Sequence, residues 1–185
     1  MVVCMKHTSN IIYANRGMTL EYLINSSNEY YKMMDKAIIY KKPTPIKVTK
    51  VNYPSRSLAR IEEAFYNTPS TTDYNGVYKG KYIDFEAKET NNNTSFPLSN
   101  IHKHQVKHIE DIIRHGGIGF IIVYFKKINK IYYLKGEDLI DFIKINDRKS
   151  IPLDYFEKKG FILKERINPF IDYLSIIEDL YFKEK

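Results

Sequence analysis

The residues richest in chemical potential lie in one alternating run, Tyr82-Ile83-Asp84-Phe85-Glu86-Ala87-Lys88. Successive side chains of a strand point to opposite faces. Ile83, Phe85 and Ala87 therefore share one face, and Asp84, Glu86 and Lys88 share the other. A carboxylate beside an ammonium at that spacing can hold a metal ion and a water. It can also be the solvated face of a half-exposed strand, and taken alone that plainer reading is the better one. Asp73 changes the balance. It lies thirteen residues before Glu86, within Ser70-Thr71-Thr72-Asp73-Tyr74-Asn75-Gly76. Antiparallel pairing through the connection near Gly80 brings Asp73 back toward Glu86, with a bulge allowed. Two carboxylates and a lysine are what metal-assisted phosphodiester hydrolysis asks of a site. Hard oxygen ligands suit Mg²⁺, which keeps several waters. The metal polarises the phosphate and lowers the pKa of the attacking water. A lysine orients that water or neutralises charge growing on the phosphate.

Other groupings carry less. His104 and His108 stand four apart on a helix, a spacing that can bind zinc, but no third ligand is evident near them. Gly116-Gly117-x-Gly119 follows a helix and precedes a strand, the wrong order for a dinucleotide loop. A helix stop explains it. The sixteen tyrosines can stack bases, though most should be packing residues.

These residues need a scaffold, and composition bounds it. The chain has 185 residues, 43% of them apolar and 28% charged, which suits one folded domain. There are 29 Lys and Arg against 22 Asp and Glu, a net charge of +7. That balance favours a polyanionic partner, nucleic acid or an anionic membrane face. A strongly cationic substrate is disfavoured. The one cysteine, Cys4, excludes an intrachain disulfide. The longest apolar run, Ile118–Phe125, is too short to span a bilayer. Met1–Asn10 lacks a secretory apolar region, so a cytoplasmic protein is expected.

The pattern along the chain gives the order of elements. Residues 1–15 read as a loose arm. Leu20, Leu23, Ile24, Tyr30, Tyr31 and Met34 recur at helical spacing after Thr19, a capping residue. Asn25-Ser26-Ser27-Asn28 weakens the middle of that helix. Ala37–Tyr40 reads as a short strand. Lys41–Ser55 holds Pro43, Pro45 and Pro54, which forbid a helix. Ile46, Val48 and Val51 suggest an extended ribbon bearing lysines. Arg56–Tyr66 reads as a short helix carrying Arg56 and Arg60. Thr72–Tyr78 and Tyr82–Lys88 flank a hairpin turn. Leu98–Arg114 reads as a helix stopped by Gly116-Gly117. Ile118–Phe125 and Ile131–Leu134 form a buried hairpin. Gly136–Ile145 and Phe170–Phe182 read as helices, while residues 148–166 give no clear pattern. The order implies an α/β core with a mixed sheet.

The wider text resembles a known family. Asp73 with Glu86-Ala87-Lys88 is similar to the PD-(D/E)XK nuclease signature without its proline. Asn15–Glu21, Lys41-Lys42-Pro43-Thr44-Pro45, Ser70–Gly76, Tyr82–Thr90, Thr94–Leu98 and Ile171–Glu178 resemble the RecU family of Holliday junction resolvases. The likeness runs from about residue 13 to about residue 182. It implies a single domain with a restriction-endonuclease-like core: a mixed central sheet flanked by helices. It implies a basic stalk, residues 41–66, projecting from that core. It implies Mg²⁺ held by Thr71, Asp73, Glu86 and Gln105, with Lys88 stabilising the transition state. Lys41, Lys42, Lys47, Lys50, Arg56 and Arg60 would meet the phosphates of four-way branched DNA. Asp84 stays unassigned, and Glu21 can be an outer carboxylate or a solvated helix residue. No base-reading motif is visible, so recognition should rest on shape and backbone. Symmetric double cleavage by a chain with one site implies a homodimer. A recombinase is a further candidate partner. The rival readings are a nuclease of linear duplex and a non-catalytic junction-binding modulator of strand exchange.

Overall fold

The computed structural model describes residues 19–66 and 71–183. Cys4, the arm expected over residues 1–15, and Ser70 lie outside the described residues.

Helix α1 (Leu20–Met33) starts where Thr19 accepts a hydrogen bond from the Tyr22 N–H at 3.2 Å. It buries Leu20, Leu23, Ile24 and Tyr31. The polar stretch in its middle is not a weak point. The Ser27 hydroxyl donates to the Leu23 carbonyl and accepts from the Ile171 N–H. Asn28 and Asn25 accept from the hydroxyls of Tyr173 and Tyr74. Met34, expected on the apolar side, is exposed.

Strand β1 (Ile38–Lys41) follows, and then the chain leaves the core. Strands β2 (Ile46–Asn52) and β3 (Arg60–Tyr66) pair antiparallel as an isolated ribbon, every residue of it exposed. The helix expected over Arg56–Tyr66 is therefore corrected. A stretch that short has no apolar surface to bury on, so it cannot repay helix nucleation. The β-branched residues of β2 offer it a ladder instead, with Val51 opposite Ile61 and Ile46 opposite Tyr66. The register of this ribbon shifts around Lys50.

The chain returns through β4 (Tyr74–Tyr78) and β5 (Lys81–Thr90). Lys79 and Gly80, both at positive φ, make the tight turn between them. Gly76 faces Ile39 across β1, and a Cβ there would lie 2.1 Å from the Ile38 carbonyl oxygen. Strand β6 (Ser95–Pro97) and a 3-10 turn over Leu98–Asn100 precede α2 (Lys103–Arg114). The expected helix thus begins five residues late. The Leu98 N–H bonds the Lys149 carbonyl, and β6 pairs with β9 (Ser150–Pro152), which holds this segment extended. Strands β7 (Ile118–Phe125) and β8 (Lys130–Lys135) form the expected hairpin, followed by α3 (Gly136–Ile145). Residues 148–166 resolve into β9, α4 (Leu153–Lys159) and β10 (Phe161–Leu163). Helix α5 spans Tyr173–Tyr181 and is capped by Asp172, which accepts from the Ser175 N–H.

Among the described residues, six strands form one sheet in the order β1-β4-β5-β7-β8-β10. Only β5 and β7 are parallel, over Ile83↔Ile118 to Thr90↔Phe125. The mixed sheet flanked by helices is the architecture that the sequence implied. One face buries Ile83, Phe85, Phe120, Ile122 and Tyr133 with residues of α1 and α5. The other buries Ile121, Val123 and Leu134 with Ile109 of α2, Leu139 of α3 and Phe156 of α4. The ring of Phe85 stacks between Tyr74 and Phe120, at centroid separations of 4.9 and 4.5 Å. Strand β5 is thus central and covered on both sides.

Candidate active site

Position on β5 decides which side chains meet. Ile83 and Phe85 enter the core under α1, while Asp84 and Glu86 turn toward α2. Both carboxylates are fully buried, so this face is not solvated. Helix α2 answers them with Gln105 and His108, three apart and so on one side of the helix. The Gln105 amide donates to Glu86 Oε1 at 2.7 Å, and His108 Nε2 lies 3.2 Å from Asp84 Oδ2.

The register of β4 on β5 places Tyr74 opposite Phe85 without a bulge. Asp73, one residue earlier, therefore comes beside Glu86, and its Oδ2 accepts the Ala87 N–H at 3.2 Å. Lys88 reaches back to Glu86 Oε1 at 2.5 Å and keeps part of its side chain in solvent. The structure brings Asp73, Glu86, Lys88 and Gln105 together.

Glu86 is held under tension between these neighbours. Burial pushes its carboxyl up to about 7, and the nearby Asp73 carboxylate pushes the same way. Lys88 pulls it down only in part. Its second oxygen, Oε2, is buried with no hydrogen-bond partner. Such an orphaned carboxylate oxygen beside a second carboxylate fits a small divalent cation. Among the described residues no three His, Cys, Asp or Glu side chains gather as a metal cage. Two carboxylates with neutral oxygens and water suit Mg²⁺ rather than zinc. Gln105 offers its carbonyl oxygen to the His102 N–H at 2.9 Å, so in this conformer it orients Glu86 through its amide.

Thr71 lies close by and is tied to Lys42. The Lys42 ammonium meets Thr71 Oγ1 at 3.0 Å, Thr72 Oγ1 at 2.7 Å and Asp84 Oδ2 at 2.7 Å. Expected at DNA phosphates, Lys42 is instead turned inward, its side chain 16% exposed. Lys41 pairs with Glu21 at 2.6 Å, at the surface. Both line a cleft of about 320 Å³ that reaches Asp73, Ala87 and Glu89. Glu89 closes the far side by accepting the Leu20 N–H at the start of α1. Lys47, Lys50, Arg56 and Arg60 project from the exposed ribbon, where Lys50 pairs with Glu62 at 2.7 Å.

Sequence reasoning missed the roles of Asp84 and Lys42. Asp84 gave a signal, a carboxylate on the covered face beside Glu86. Lys42 gave none, because its partners lie about thirty and forty residues away.

The model of the family described as Recombination protein U matches residues 15–179. The chain belongs to the RecU family. The Holliday junction resolvase RecU of Pediococcus pentosaceus is 54% identical over 172 residues, 91% of this chain and 86% of the relative. That of a Geobacillus species is 51% identical over 92% and 86%. That of Streptococcus thermophilus is 48% identical over 95% and 89%. The Holliday junction resolvase Hjc of Archaeoglobus fulgidus, a solved structure, aligns with 80% of this chain and 93% of its own. Its identity is 11% and its TM-score 0.35, a likeness too slight to add to the RecU relationship. Among the described residues no helix is long and apolar enough to cross a membrane.

Proposed function

We propose that this RecU-family chain is a Mg²⁺-dependent endonuclease that resolves Holliday junctions by paired cuts, in the cytoplasm, during homologous recombination and DNA repair. The observation that carries the reading is the buried, unpartnered Oε2 of Glu86, set beside Asp73 and Lys88. Asp73 and Glu86 would hold the cation, and the family resemblance adds the Thr71 hydroxyl as a further oxygen. Bound Mg²⁺ supplies charge that polarises the scissile phosphate and acidifies the attacking water.

The chain's own groups do the rest. Gln105 fixes the rotamer of Glu86 by donating to Oε1. Lys88 presents an ammonium at the solvent side of the pair, where it can donate to a phosphate oxygen as charge develops. Lys47, Lys50, Arg56 and Arg60 on the ribbon would meet phosphates, each contact releasing counterions. One chain carries one such site, so two symmetric cuts need a C2 pair of chains.

The test is cleavage of a synthetic four-way junction with and without Mg²⁺, beside a linear duplex of the same sequence. The junction should be cut in both opposed strands only with Mg²⁺, and the duplex spared. Asp73→Asn and Glu86→Gln should abolish cleavage and keep junction binding. Variants that cut as well as the native chain would remove these carboxylates from the site.

A further inference from the structure

The exposed ribbon has two feet. The chain leaves the core at Lys42, directly after β1, and the described chain resumes at Thr71, just before β4. Lys42 joins them. Its ammonium bonds the hydroxyls of Thr71 and Thr72, and its backbone N–H bonds the Asp73 carbonyl at 2.8 Å. The third donor goes to Asp84 on β5 at 2.7 Å. An ammonium has three donors, so the side chain has none left for a phosphate.

Asp84 explains why the grip is firm. It is fully buried and takes hydrogen bonds from Lys42, Thr72 and the Tyr82 hydroxyl, with His108 Nε2 at 3.2 Å. Removing the Lys42 ammonium would take away the nearest cation of a fully buried carboxyl group, a costly loss in so dry a place. Residues 71–73 lie outside the regular part of β4. Asp73 keeps the backbone bond from Lys42, whereas side-chain bonds to the Lys42 ammonium tie Thr71 and Thr72.

We propose that Lys42 is a positioning residue for cleavage. Anchored on Asp84, it holds Thr71 and Asp73 against β5 and couples the seating of the ribbon on DNA to the arrangement of the metal-binding oxygens. The proposal rests on the reading of Asp73 and Glu86 as the cation-holding pair.

Three measurements on the full chain test it: junction affinity and its salt dependence without metal, the rise in melting temperature on adding Mg²⁺, and the single-turnover cleavage rate at saturating protein. Lys42→Met should keep the affinity within about twofold and leave the salt slope unchanged, since the inward-turned ammonium neutralises no phosphate. The Mg²⁺ needed for the half-maximal thermal shift should rise about tenfold or more, and the saturated rate should fall by about tenfold to a hundredfold. Lys42→Arg, which restores a long cation facing Asp84, should recover most of both. Lys42→Met combined with Asp84→Asn removes the buried charge, and should recover the metal-free melting temperature but not the Mg²⁺ response. A salt slope lowered by about one, with an intact saturated rate, would make Lys42 a phosphate ligand and overturn the proposal. Recovery of the Mg²⁺ response in the double variant would also overturn it, because relief of a buried charge would then suffice. Failure of the underlying reading is visible separately, as a native chain with neither a Mg²⁺ shift nor cleavage.

Discussion

At Glu86 the chain sets folding against function. A carboxyl raised to about 7 keeps its proton more firmly in the fold than in the unfolded chain, where it titrates near 4.5. Its contribution to metal-free stability is fully present below about pH 4.5 and is lost as pH rises through about 7. In metal-free buffer the melting temperature should therefore fall between pH 5.5 and 8 by more in the native chain than in Glu86→Gln. Calorimetry at several pH values measures this. A cation needs the ionised form, so added Mg²⁺ should stabilise the native chain more at pH 8 than at pH 6. The alternation along β5 made Glu86 and Lys88 legible as neighbours. The antiparallel return made Asp73 legible as the second carboxylate. What sequence spacing could not supply was burial. Nothing in residues 82–88 says that α2 covers the acidic face, and that cover contributes to the burial that raises the Glu86 carboxyl and brings His108 to Asp84.

The elements differ in how far their patterns are local. Strand β7 is apolar at nearly every position, and α1 and α3 repeat at helical spacing, so their types follow from their own residues. Strand β3 does not: its residues favour a helix locally, and the ladder offered by β2 overrules them. The same holds for Leu98–Asn100, kept out of α2 by the strand pair at Ser95–Pro97. Strands of three residues such as β9 and β10 have too few positions to show any period. At this scale the sheet depends on one aromatic stack. Phe85 is fully buried between Tyr74 and Phe120, directly beside Glu86 in sequence. Phe85→Ala should cost about 3–5 kcal/mol of unfolding free energy, read from denaturant melts. Cleavage at temperatures where the variant remains folded should also fall, since β5 would lose the packing that fixes its carboxylates.

The whole molecule separates its charges. Glu86 is buried on the central strand with Asp73 half-buried beside it, and four exposed basic residues, Lys47, Lys50, Arg56 and Arg60, stand on the ribbon. Neutralising Lys47, Lys50, Arg56 and Arg60 together should weaken junction binding and lower its salt slope by up to about four, one for each phosphate left without its cation. Affinity measured at a series of salt concentrations checks this, and an unchanged slope would remove the ribbon from DNA binding. The ribbon's exposure has one more consequence. Strands β1 and β4 are direct neighbours, with Lys41 facing Tyr74, so the core is already continuous where the ribbon departs. The ribbon is therefore a cassette. A tight turn replacing residues 44–70 should leave Lys42, Thr71 and the strands of the main sheet in place, so the core would be a module open to a different arm.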